Sequence, residues 1–174
     1  RTFGYCQVDG VQALELPYQG EKLSMLFLLP EARDGLAEIE QGLTPARLQR
    51  WIKSLHPHEV VVRLPRFRAE GAFKLNDPLI QLGMVDAFDP NRANFAGMDG
   101  LSNNLFILAA LHKAFVEVDE QGTEAAAATA VIMQARAMEV PKPVFRADHP
   151  FMLLIRERSQ GHVLFMGRLV KPEI

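Results

Sequence analysis

Between Lys113 and Lys142 the sequence holds one basic residue, Arg136, which ends a segment that opens at Gly122 and runs through Thr123 and a series of alanines. A guanidinium carries a planar fork of donors suited to a carboxylate. A lone cation closing a small-residue segment that follows a strand-like run has the order of parts of a bait loop. The other residues with chemical potential are weaker candidates. Ser102, His112 and Asp119 are the three types of a nucleophilic triad, but no nucleophile elbow frames the serine and no metal motif stands nearby. No enzyme is expected, and no cofactor. His56, Pro57 and His58 offer two imidazoles without a pattern for a third ligand, so a solvated connector is expected there rather than a metal site. Cys6, the one cysteine, cannot form an internal disulfide and reads as a small buried hydrophobe rather than a nucleophile.

The bait segment needs support on both sides. Residues 105–111 are a continuous apolar run, the pattern of a strand buried on both faces, and the run continues through His112 to Val118 as one long central strand. The stretch EAAAATA favours helix by propensity, because alanine loses no side-chain entropy there. It has no apolar stripe to dock such a helix. At period two, Thr123, Ala125, Ala127 and Thr129 share a face small enough to enter a gap between packed strands. The segment therefore suits a chain that is loop in one state and strand in another; an alanine-rich linker is the alternative on composition alone. Beyond it, Pro141 and Pro143 interrupt order, residues 144–146 pair as a short strand, and 151–156 with 163–170 form a hairpin around Ser159, Gln160 and Gly161.

The first half reads as a β-meander with strands over 2–8, 11–18 and 22–29, turning at Gln19, Gly20 and Glu21. A short helix is expected over 35–41. Thr44 then serves as N-cap with Pro45 at the first helical position, and Leu48, Ile52 and Leu55 recur at helical spacing with Trp51 at the edge of that face. Residues 60–67 form a β-branched strand in which Pro65 marks a bulge or an end. Asn76 caps a helix that stops at Gly83, and 89–104, rich in Asn, Asp and Gly, is loop.

At 174 residues and 48% hydrophobic content the chain has enough apolar surface for a sizeable core. A net charge of −2 without a dense Lys/Arg face excludes a generic nucleic-acid or anionic-membrane partner. No apolar run approaches the ~20 residues of a membrane helix.

The stretch HKAFVEVDEQGTEAAAATA, 112–130, resembles the proximal hinge of the serpins, serine protease inhibitors whose reactive loop inserts into their own sheet. Further family-like motifs stand in order around it: LPRF at 64–67, LGMVDAF at 82–88, ANFAGM at 93–98, FRADHPF at 145–151 and LFMGRLVKP at 164–172. The resemblance implies an α+β, β-rich serpin fold, of which residues 1–174 are the C-terminal portion with a reactive loop at about 120–143. The N-terminal half is absent, and a chain beginning at Arg1 reads as a fragment.

In inhibitory members seventeen residues run from the hinge glutamate to the residue before the scissile bond, and Glu120 to Arg136 spans that count. The resemblance thus implies Arg136-Ala137 as the bond attacked, by a trypsin-like protease whose buried aspartate pairs with the guanidinium. It implies a hinge of Glu120, Gln121, Gly122, Thr123, Glu124, Ala125, Ala126, Ala127, Ala128 and Thr129. Glu120 is expected to pair with Arg66, two unrelated surface charges being the alternative, and His112 to lie where the sheet opens, a role compatible with a plain buried histidine. A covalent acyl-enzyme with the protease, a monomer and an extracellular or secreted setting follow from the same resemblance. The alternatives are a non-inhibitory carrier or chaperone, which would be expected to carry charge, proline or bulk in the hinge, and an isolated fragment inactive by itself.

Overall fold

The computed structural model describes residues 2–102, 104–119 and 141–171. Residues 120–140, which carry the whole expected hinge from Glu120 and the expected bond Arg136-Ala137, lie outside the described residues. Contacts divide the chain into two units, Arg1–Phe67 with Glu117–Ile174, and Arg68–Val116.

The first unit is built on a six-stranded sheet. It opens with β1 (Thr2–Val8), β2 (Val11–Pro17) and β3 (Leu23–Pro30), followed by helices α1 (Leu36–Gln41) and α2 (Pro45–Ser54). Asp9 and Gly10 both take positive φ, 53° and 70°, giving the β1–β2 hairpin a primed two-residue turn whose twist matches its strands. Thr44 caps α2 as expected, its side chain accepting from the Arg47 N–H at 3.1 Å. His56–Glu59 is a strand, β4, which corrects the expected connector. Its backbone pairs antiparallel with β1, from Thr2 opposite Glu59 to Tyr5 opposite His56. An edge strand asks little of its side chains, and Pro57 is tolerated there.

The sheet closes with β9 (Phe151–Glu157) and β10 (Val163–Leu169), and its order is β10-β9-β3-β2-β1-β4, with every neighbouring pair antiparallel. Because side chains alternate, β2, β3 and β9 send one set to each face. On one face Cys6, Val11, Ala13, Leu26, Leu28, Met152 and Leu154 cluster with Leu36 and Ile39 of α1 and Trp51 of α2. Trp51 is fully buried rather than at the edge of its helix, and Cys6, buried as expected, points its thiol at the Trp51 carbonyl 3.6 Å away. The other face carries an aromatic group: Phe27 lies 5.8 Å from Phe151 and 6.3 Å from Phe145, and Phe67 lies 5.9 Å from Phe151, ring centre to centre.

The expected strand over 60–67 is divided. Val60 is buried, β5 covers Val61–Arg63, and Leu64 and Pro65 separate it from β6 (Phe67–Lys74). β5 pairs parallel with β8 (Val144–Arg146).

In the second unit β6 pairs with β7 (Leu111–Val118) as a two-stranded sheet, and the unit also holds α3 (Asn76–Gln81) and α4 (Ala96–Asp99). Two expectations are corrected here. Asn76 does not cap α3. Its side chain instead donates to the Leu108 carbonyl and accepts from the Ala110 N–H, both at 3.0 Å. Residues 105–110 are not strand, and Leu105, Phe106, Leu108 and Leu111 are exposed, because a two-stranded ladder covers neither of its own faces. Gly83 takes φ +101° past the end of α3, the left-handed stop its position predicts.

Candidate functional site

Residues 120–140 lie outside the described residues, so the chain is followed up to Asp119 on one side and from Pro141 on the other, each by itself. On the approach, β7 begins with exposed Leu111 and His112 and from Lys113 alternates between exposed and half-buried residues to Val118. The Arg68 guanidinium lies 5.2 Å over the Phe115 ring, and Lys113 pairs with Glu70. His112 is exposed on β7 and stacks on Phe73, with centroids 6.5 Å apart and planes 21° from parallel, which corrects the expectation of burial. Arg66 is exposed in the connector before β6; its expected partner, Glu120, lies outside the described residues.

The exit is tied down at several points. The Val61 N–H donates to the Pro143 carbonyl at 2.9 Å and the Ala147 N–H donates to the Arg63 carbonyl at 3.0 Å, bracketing the parallel ladder of β5 and β8. Phe145 is fully buried against Phe27. Lys142 reaches Glu59 at 2.9 Å, and its hydrogen bond holds the Glu59 carboxyl below the usual range. The chain from Pro141 onward is therefore moored through backbone, core and an ion pair.

Immediately after β8, Asp148 gathers three basic groups. Its carboxylate meets the His149 ring at 2.9 Å, Arg146 at 3.1 Å and Arg33 at 3.5 Å. The His149 hydrogen bond, and then the two arginines, keep its carboxyl below the ordinary value. The opposite nitrogen of His149 lies 2.6 Å from the Pro30 carbonyl, which fastens the segment to the end of β3. In the same unit Ser24 donates to Glu15 at 2.7 Å and the Arg156 Nε donates to it at 3.0 Å, all three being buried. Neither cluster was found from the sequence. The available signal was a charged residue at an inward position of an apolar strand, Glu15 in VQALELP and Arg156 in FMLLIRE. Among the described residues no group of three or more His, Cys, Asp or Glu stands where it could hold a metal ion.

The family model described as Serpin (serine protease inhibitor) matches residues 1–172. The chain belongs to the serpin family. This serpin sequence is 41% identical over 172 residues to antithrombin-III of Mus musculus, covering 98% of the chain and 37% of the relative. It is 49% identical over 176 residues to the leukocyte elastase inhibitor of Sus scrofa, covering 98% of the chain and 46% of the relative. A solved structure described as a tumour suppressing serpin superposes with a TM-score of 0.80 at 27% identity, over 99% of the chain and 45% of that protein. The chain thus spans less than half the length of the relatives it matches. The family description is that of an inhibitor rather than a catalyst.

Proposed function

We propose that this chain carries the bait and hinge of a suicide-substrate inhibitor of trypsin-like serine proteases, with Arg136-Ala137 as the bond attacked. The observation that carries the reading is the spacing: seventeen positions from Glu120 to Arg136, ending on the one basic residue between Lys113 and Lys142. A strand ending one residue short of Asp119 and a moored chain at β8 support it, and the family description and a relative named as an elastase inhibitor support its inhibitor part.

In this reading the protease serine attacks the Arg136 carbonyl, the peptide bond to Ala137 breaks, and the new amino group leaves with Ala137 while an acyl-enzyme forms on Arg136. The thirteen residues from Thr123 to Ala135 then enter a sheet as a new strand. At ~0.5–1.5 kcal/mol net per hydrogen bond, insertion releases on the order of 10 kcal/mol, available to displace and distort the protease before water frees it. Serpin loop insertion is an established example of such a transition. No proline or charge lies between Ala125 and Ala135 to oppose entry.

The test is a denaturing gel of the full-length protein carrying this chain, incubated with a slight molar deficit of trypsin, with mass spectrometry of the released C-terminal peptide. A band at the summed mass with cleavage after Arg136 is the expected outcome. Clean cleavage with full residual trypsin activity would exclude the trapping mechanism.

A further inference from the structure

The parallel ladder of β5 and β8 has one face in the aromatic core, through Phe145, and one in solvent. Val61 pairs with Val144 and Arg63 with Arg146, and because each strand alternates, these four side chains share the solvent face. Val61 is 40% exposed and Val144 47%. Like charges directly opposite each other in a sheet are destabilising, so the arginine pair does not serve the ladder. Local neutralisation is incomplete. Arg146 meets Asp148 at 3.1 Å but shares that carboxylate with Arg33 and His149, and among the described residues no carboxylate pairs with Arg63. Exposed guanidiniums beside apolar side chains are the composition of an interface, and two forks side by side suit surface carboxylates.

Position favours one occupant. Arg146 lies ten residues beyond Arg136, a contour of no more than about 35 Å. A protease domain of ~220 residues has a radius of gyration of about 17 Å, so this face is within reach of an enzyme holding the bait bond. We propose that Arg63 and Arg146, over the Val61–Val144 pair, form a secondary docking surface for an acidic patch on the protease engaged by the loop. The proposal rests on the bait reading given above. It adds discrimination among enzymes that share the same preference for arginine, acting through the encounter rate rather than through the bond broken.

The test uses the full-length protein with anionic and cationic trypsin, which share arginine specificity and differ in surface charge. The second-order inhibition rate is measured for the wild type, Arg63→Glu and Arg63→Gln. Charge reversal is expected to slow inhibition of anionic trypsin about tenfold and of cationic trypsin much less, with Arg63→Gln in between. The difference should close near 1 M salt, where the screening length falls to about 3 Å. An unchanged unfolding midpoint verifies that the variants fold. Rates within twofold of the wild type for both enzymes at low salt, or an equal loss for both, overturn the docking surface while the bait reading stands. Absence of any covalent adduct between the wild type and either trypsin removes the bait reading, and the docking surface with it.

Discussion

Glu15 is the residue on which the interior of the first unit turns electrostatically. Its carboxylate lies over Gly4, where an added Cβ would come within 3.5 Å of Oε2, and it accepts from both Ser24 and Arg156 in a site nearly closed to water. A buried pair of this kind contributes little net stability compared with two well-packed apolar residues, but breaking it strands a charge. Glu15→Leu is therefore expected to lower the unfolding free energy by about 3–5 kcal/mol, because Arg156 is left uncompensated. The double variant Glu15→Leu/Arg156→Leu is expected to lose markedly less. Urea denaturation of the three proteins checks this, and equal losses for the single and double variants would rule out a stranded charge as the cause. The pair was illegible in sequence because its members stand 141 residues apart, and only the order of β2, β3 and β9 in the sheet brings them together.

The β9–β10 hairpin shows how one side chain closes an element. The Glu157 carboxylate accepts from the Gln160 N–H at 2.6 Å and the Ser159 N–H at 2.7 Å, and Gly161 takes φ +77° to complete the turn. The Gln160 bond first, then those from Ser159, push the Glu157 carboxyl down from 4.5 to about 2. A folded value below the unfolded one means that the stabilisation is complete above pH 4.5 and fades as pH falls towards about 2. Glu157→Gln should thus be less stable than the wild type near neutrality, and the gap should narrow between pH 4.5 and 2. Denaturation curves of both proteins over that range decide it, and a gap constant with pH would refute it. Elements whose residues carry their own instructions were legible: β1 to β3, α2 with its Thr44-Pro45 start, and this hairpin agree with the sequence reading to within a residue or two. Elements defined by a partner were not. His56–Glu59 is a strand only because β1 offers it an edge, Asn76 spends its amide on residues 108 and 110 instead of its own helix, and the apolar run over 105–110 lacks the neighbours that would make it strand.

At the scale of the whole molecule the proposed mechanism requires a sheet to accept thirteen more residues, and this chain spans 37–46% of the relatives reported above. The test of insertion therefore belongs to the full-length protein, and it turns on a side chain that the proposed mechanism would carry into a sheet. Thr123 is the first residue of the small-residue face shared with Ala125, Ala127 and Thr129. Thr123→Arg would carry a long cation into that interior at a cost of several kcal/mol, a large fraction of the ~10 kcal/mol that the new strand supplies. Attack at Arg136 does not depend on this position. The protease should still acylate at the normal rate, but water should release it before insertion is complete. The expected outcome is an unchanged rate of cleavage after Arg136, loss of the band at the summed mass, and a large rise in the moles of protein consumed per mole of trypsin inhibited. Thr123→Ser, which keeps the residue small and uncharged, should behave as the wild type. One-to-one inhibition surviving in Thr123→Arg would mean that the protease is held by the loop itself, as a tight reversible substrate mimic, and that strand insertion plays no part.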